Sequence, residues 1–240
     1  MKTLTTTEAE LLAGKFRSMA GLNLSEPLNV KTLLRKLNII TLYRPLSEAS
    51  CGISCRSASG KKFMLINSRT TRGRQHFTIA HELYHLFYDE HPMPHVCKGM
   101  ATGEEKNANR FASALLMPKE GLLSVIPNET LVNHSMNLPT LLRLEQLFSV
   151  SRSTLLVRLK DLEIITQKQF DELDTVSVKD SARDYGYDLS LYEAGNEGLV
   201  IGDFGEKARI LYERGKISEG HYQELRKMID YVGTHEKSGS

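Results

Sequence analysis

The chain has 240 residues, 40 % hydrophobic and 25 % charged, the composition of an ordinary soluble globular protein with room for one sizeable core and a small satellite. A formal net charge of +2 gives no electrostatic case for nucleic acid or membrane surfaces, and no apolar run approaches the ~20 residues that span a bilayer. Residues 1–20 lack the segments of a signal peptide, and Cys51, Cys55 and Cys97 are too few and too irregularly spaced for a disulfide framework, so a cytoplasmic location is expected.

Residues 7–19 place Leu11, Leu12 and Phe16 at helical spacing, with Thr7 as the expected N-cap. A second helix is expected over 27–37, with Pro27 in its first turn, Leu28, Leu33, Leu34 and Leu37 as its stripe and Asn38 closing it. The period then changes to that of strands at 39–43, 52–56 and 63–67, with Ser59-Gly60 as the turn between the last two. Three arginines at 69, 72 and 74 read as a solvated loop leading into a helix.

That helix, residues 75–88, carries His81, Glu82 and His85 in the order H-E-x-x-H. Residues four apart lie one above the other on a helix, so the two imidazoles can share one metal ion, while Glu82 projects beside it. Two nitrogen ligands, an open coordination position and a carboxylate able to take a proton from water are what a zinc peptidase needs. Phe77, Ile79, Ala80, Leu83, Leu86 and Phe87 leave the helix little polar surface apart from the motif, and half-buried histidines require partners.

Residues 89–103 read as a loop at the rim of a cleft. Residues 104–117 form the next helix, with Ala108, Phe111, Ala112, Leu115 and Leu116 as its buried stripe and Pro118 as its stop. Glu105 falls on the core-facing side near the helix start, where a carboxylate is costly unless a cation meets it, and it is the preferred third ligand. Glu104 would serve if the helix were slightly rotated. His91 stands where an extended H-E-x-x-H-x-x-G-x-x-H motif has its third histidine, but Tyr88 replaces the glycine that turns the chain there. Cys97 is a further conceivable ligand by proximity alone.

Residues 138–162 read as two helices joined at Val150-Ser151, in the form of a helix-turn-helix. Arg152, Arg158 and Lys160 could touch phosphate, but acidic residues nearly balance the basic ones, so a packing module is preferred to a DNA reader. Residues 177–198, rich in Ser, Asp, Gly and Tyr, read as a linker, and 199–232 as a short strand and a helical hairpin. The expected fold is therefore α+β. It has a zincin-like metallopeptidase domain over 1–135 with a small sheet packed on the motif helix, a helix-turn-helix-like module over 136–168, a linker over 169–198 and a C-terminal segment over 199–240.

R-Q-H-F-T-I-A-H-E-L-Y-H from Arg74 to His85, followed by E-x-x-A-N-R-F-A-S-A-L-L-M-P from Glu105 to Pro118, resembles the ImmA/IrrE family of bacterial zinc metallopeptidases. The resemblance implies a cytoplasmic, Zn2+-dependent peptidase that cuts a helix-turn-helix repressor and so switches on genes of a mobile element or stress response. Carried over by position, His81, His85 and Glu105 are metal ligands and Glu82 the catalytic base, and manganese could replace zinc. The chain departs from the family at Tyr84, often glycine, and at Asn107, often acidic. It also lacks the fused repressor-like N-terminal domain of some relatives, so its partner is expected on a separate polypeptide. Tyr88, His91 and His134 are candidates for the oxyanion donor. The rival reading is a non-proteolytic regulator or toxin-like partner with a structural metal, whose fourth position Cys97 or His91 would fill.

Overall fold

Thr5, not Thr7, opens the first helix. In this computed structural model, which describes residues 3–89, 94–97 and 103–230, α1 runs Thr6–Met19. Thr5 and Glu8 cap each other's backbone amides reciprocally. The buried face is Ala9, Ala13, Phe16 and Arg17, while Leu11 stays 60 % exposed, so the face is turned away from the expected stripe. α2 is shorter than expected, Val30–Lys36, because the capping oxygen is that of Asn29 on Thr32 N; Asn38 closes the helix at positive φ.

Three strands follow: β1 Ile39–Arg44, β2 Gly52–Arg56 and β3 Lys62–Asn67. β3 runs parallel to β1 and antiparallel to β2. A three-residue strand, β4 (His95–Cys97), pairs antiparallel with β2, and β5 (Val200–Ile201) pairs antiparallel with β1, giving the order β4-β2-β3-β1-β5. Residues 95–97 were expected to be loop; the sequence is too short to show a period, and the pairing comes from β2.

Helix α3 (Arg72–Tyr88), capped by Thr71, lies across β2 and β3 and packs on its other side against α4 (Gly103–Leu116). The approach to the sheet is close: a Cβ at Gly52 would stand 2.7 Å from Thr78 Cγ2. After the short helices α5 (Lys119–Val125) and α6 (Asn128–Asn133) come α7 (Leu138–Phe148) and α8 (Arg152–Asp161). Ser149 turns between them in the left-handed region and Ser151 caps Thr154 N. This pair shares its core with α1, α3 and α4: Leu141, Leu144, Phe148, Leu155 and Leu159 join the same buried cluster as Phe16, Ile79 and Phe111. A Cβ on Gly73 would lie 2.8 Å from Ser151 N, so the start of α3 meets the α7–α8 turn backbone to backbone.

The expected linker over 169–198 is instead folded chain. It holds most of α9 (Gln167–Asp174), α10 (Val178–Asp184) and a 3-10 turn at Leu189–Tyr192, with Ala182, Leu191 and Tyr192 packed on Leu142. These elements are too short for a legible period and are fixed by single apolar anchors and polar stitches. Gln75 Nε2 donates to Gly195 O at 2.9 Å, its Oε1 accepts from Asn196 Nδ2 at 2.7 Å, and Thr71 bridges to Ala194. The chain then enters the sheet as β5 and ends its described part in a hairpin of α11 (Phe204–Glu213) and α12 (Glu219–Asp230). The expected frayed end at 235–240 lies outside the described residues. Among those described, no helix is long and apolar enough to cross a membrane.

Candidate metal centre

One turn of α3 separates His81 from His85, and their Nε2 atoms face each other at 3.1 Å. Glu105, in the first turn of α4, sets Oε2 3.1 Å from His81 Nε2 and Oε1 3.7 Å from His85 Nε2. One donor atom from each of the three can be chosen so that all lie within 4.8 Å of one another. Glu104 is exposed and is not one of these three. His91 and the side chain of Cys97 lie outside the described residues.

Glu105 is delivered by the anchoring of the far end of α4. Arg17, buried under α1, donates to Leu115 O through Nε at 3.0 Å and Nη2 at 2.6 Å, and Arg158 from α8 donates to Met117 O at 3.1 and 2.9 Å. Two guanidinium groups thus satisfy carbonyls that a helix C-terminus leaves unpaired.

The outer nitrogens of the two histidines decide what the inner ones can do. His81 Nδ1 lies 2.9 Å from Asn109 Oδ1, and His85 Nδ1 lies 2.5 Å from Asp89 Oδ2. Both partners are acceptors, so in each neutral ring the proton sits on Nδ1 and Nε2 presents a lone pair. The two Nε2 atoms, 3.1 Å apart with a carboxylate beside them, converge as the ligands of one cation would. The donor set of two imidazole nitrogens and one carboxylate fits zinc, and the Asn109 and Asp89 contacts are the outer bonds that orient such ligands.

Glu82 is fully buried. Its Oε2 accepts from Ser54 Oγ at 2.6 Å and lies 3.2 Å from His95 Nδ1, while Oε1 has no hydrogen-bond partner among the described residues. A buried carboxylate oxygen left unpartnered is expensive and points to chemistry. His95 spans the site: its Nε2 is 2.7 Å from Glu105 Oε1, and its ring stacks on His85 with centroids 3.5 Å apart. Ser54, Asn109, Asp89 and His95 were not singled out from the sequence. Asp89 and Asn109 stand four residues after His85 and Glu105, a helical spacing that could have found them. Ser54 and His95 sit on short strands whose pairing no local pattern announces.

Among protein families, the one described as Peptidase_M78, IrrE N-terminal-like domain, matches residues 34–160, more than half of the chain. The chain belongs to this family. The M78 chain is also similar to the solved structure of a Mycobacterium tuberculosis transcriptional regulator, at 17 % identity and a TM-score of 0.45, over 68 % of this chain and 48 % of that one. It thus spans about half of that protein's length. No curated protein matches it.

Tyr84 and Asn107, the two positions where the resemblance leads one to expect other residues, meet in space. Tyr84 packs on Phe111 of α4, centroids 5.7 Å apart, and hydrogen-bonds Asn107, whose Oδ1 also accepts from Leu4 N at 2.7 Å. A bulky residue on α3 is therefore accommodated by an amide on α4, and the helices stay packed.

Without metal, charge within the site is shared among the acids and histidines. Burial would lower the pKa of His95, but its hydrogen bonds to Glu105 and Glu82 outweigh this and hold it at about 10. Burial would likewise raise Glu105, and its bonds to His81 and His95 reverse that and hold it well below the usual carboxylate range. A cavity of about 900 Å³ runs from His81 and Asn109 along α3 past Phe77 and Arg74 to Ser151 and Val157 of the α7–α8 pair. Of Arg152, Arg158 and Lys160, the first two are held inside the protein. Arg152 is 2 % exposed and held by Glu145 at 2.6 Å, and Arg158 is 3 % exposed and bonded to Met117 O and Glu10.

Proposed function

We propose that this M78 chain is a zinc-dependent endopeptidase that cuts a separate helix-turn-helix repressor and thereby relieves repression. The observation that carries the reading is the convergence of His81 Nε2, His85 Nε2 and the Glu105 carboxylate, beside a buried Glu82 that keeps one carboxylate oxygen unpartnered. When bound, zinc would bring the pKa of water toward ~7 and polarise the scissile carbonyl; manganese suits the same donors.

The chain's own residues would do the rest. Ser54 holds Glu82 Oε2, so Oε1 is the oxygen positioned to take a proton from the attacking water. Glu82 then gives that proton to the leaving amine. Asn109 and Asp89 keep the histidine tautomers fixed. The cavity along α3 gives an extended peptide a path beginning at the metal ligands.

The test is to incubate the purified zinc-loaded protein with a helix-turn-helix repressor from the same genome, with and without chelator. Fragments should form only with metal. Glu82→Gln should retain zinc and produce none. Cleavage by that variant at the wild-type rate removes Glu82 as base, and a metal found with four protein ligands and no cleavage favours the regulator reading.

A further inference from the structure

We propose that His95 is a catalytic residue of this centre, whose imidazole N–H hydrogen-bonds the oxyanion formed when water adds to the scissile carbonyl. The inference rests on the peptidase reading above and supplies the donor that reading lacks.

Four observations converge on it. His95 lies between the proposed base and the third ligand, 3.2 Å from Glu82 Oε2 and 2.7 Å from Glu105 Oε1, and with Ser54, His85 and Asp89 it lines a cavity of about 180 Å³ beside them. It does not belong to the converging donor set, which consists of His81, His85 and Glu105. Its ring is fixed in plane by stacking on His85 at 3.5 Å and 20°. Its side chain is 24 % exposed, against 0 % for Glu82 and 2 % for His85, so of the three it offers the most open surface.

The backbone explains how the ring gets there. His95 is the cross-strand partner of Ser54 in the β2–β4 ladder, and both side chains grip Glu82 Oε2. The pair thus holds the base from one side and leaves the other nitrogen of His95 toward Glu105. A carboxylate committed to a cation is a weaker acceptor, so the N–H at Nε2 becomes available to substrate. The other described candidates are engaged elsewhere: His134 Nδ1 bonds Glu163 O at 2.7 Å, and Tyr88 packs on Tyr84 and Phe111.

In the step itself the water oxygen bonds to the carbonyl carbon and its proton passes to Glu82. The carbonyl π pair moves onto oxygen, and that oxygen accepts a hydrogen bond from the His95 N–H. On collapse the C–N bond breaks and the Glu82 proton goes to the amine nitrogen. His95 gives up no proton in either step, and one water is consumed.

The experiment uses the zinc-loaded full chain and a randomised peptide pool, with kinetics on one peptide the wild type cuts. His95→Ala should lower kcat by about 100- to 1,000-fold, the usual cost of an oxyanion donor, with KM and zinc content unchanged. His95→Gln, whose amide N–H can reach the same space, should recover part of that loss. N-phosphoryl-leucinamide, tetrahedral like the adduct, should bind His95→Ala on the order of 100-fold more weakly, while acetohydroxamate, which grips the metal alone, binds unchanged. An unchanged or raised kcat in His95→Ala, a rise in KM alone, or loss of zinc from both variants overturns the assignment. If wild type and His95→Ala cut the pool equally, only the role of His95 is lost. A wild type that cuts nothing removes the peptidase reading and this inference with it.

Discussion

Asn109 Oδ1 lies 2.9 Å from His81 Nδ1, which makes a residue on α4 the orienting partner of a histidine on α3. Because Asn109 follows Glu105 by one helical turn, the same face of α4 would supply one ligand and steady another. Asn109→Leu should therefore weaken zinc binding by about 10- to 100-fold without unfolding the chain, since Asn109 is exposed. Competition with a chelator of known affinity measures it. Zinc affinity equal to wild type would mean that His81 is oriented by packing alone.

Ser54 donates to Glu82 Oε2 at 2.6 Å, inside a region where neither group meets solvent. Ser54→Ala removes that tether and leaves a buried carboxylate with one partner fewer, a loss worth ~1–3 kcal/mol. The expected outcome is about a tenfold or greater fall in kcat with zinc retained. Activity and metal content measured together check it. A loss of metal in proportion to activity would instead place Ser54 in support of the ligands.

These relationships mark where the sequence was legible. His81, Glu82 and His85 stand on one long helix whose period announces itself, and Glu105 follows from a second helix with a clear apolar stripe, so the structure's gathering of His81, His85 and Glu105 was anticipated from spacing. The expected strands, and the helices carrying the two motifs, were legible for the same reason. Ser54 and His95 were not: they become neighbours only through the pairing of two short strands, one of three residues. The segment over 169–198 carries no such period, because its helices are short and it is held by a few apolar contacts, such as Leu191 and Tyr192 on Leu142, and by polar ones, such as those of Gln75 with Gly195 and Asn196.

Glu145 and Arg152 form a fully buried pair at 2.6 Å, completed by Tyr192 Oη on Glu145 at 2.6 Å and Ser181 Oγ at 3.1 Å from Arg152. The cluster ties α7 and α8 to the segment over 169–198. Breaking one side leaves a buried charge unpaired, so Arg152→Met should cost about 3–5 kcal/mol. Glu145→Leu with Arg152→Met together should cost less than Arg152→Met alone, because no orphan charge remains. Urea unfolding of the variants checks the sign of that difference. Equal or greater loss in the double variant would show that the pair acts through packing and not through charge.

His76 links the start of α3 to the α7–α8 turn, its Nδ1 lying 2.8 Å from Ser149 O. Burial pushes its pKa down from 6.5, the carbonyl of Ser149 offsets part of that, and Lys31 and Arg72 push it down further. The folded chain thus holds this ring neutral at pH values where the unfolded chain protonates it. Below the unfolded value of ~6.5 the unfolded state binds more protons, so the stability contribution is full above that pH and is lost as pH falls through it toward the lowered folded value. His76→Gln keeps an N–H for Ser149 O and cannot titrate. With zinc held saturating in both proteins, unfolding free energy measured from pH ~7 down to ~5.5, above the main carboxylate range, should fall more steeply in the wild type than in the variant. Superimposable slopes would mean that the His76 ring takes up its proton without leaving its place against Ser149.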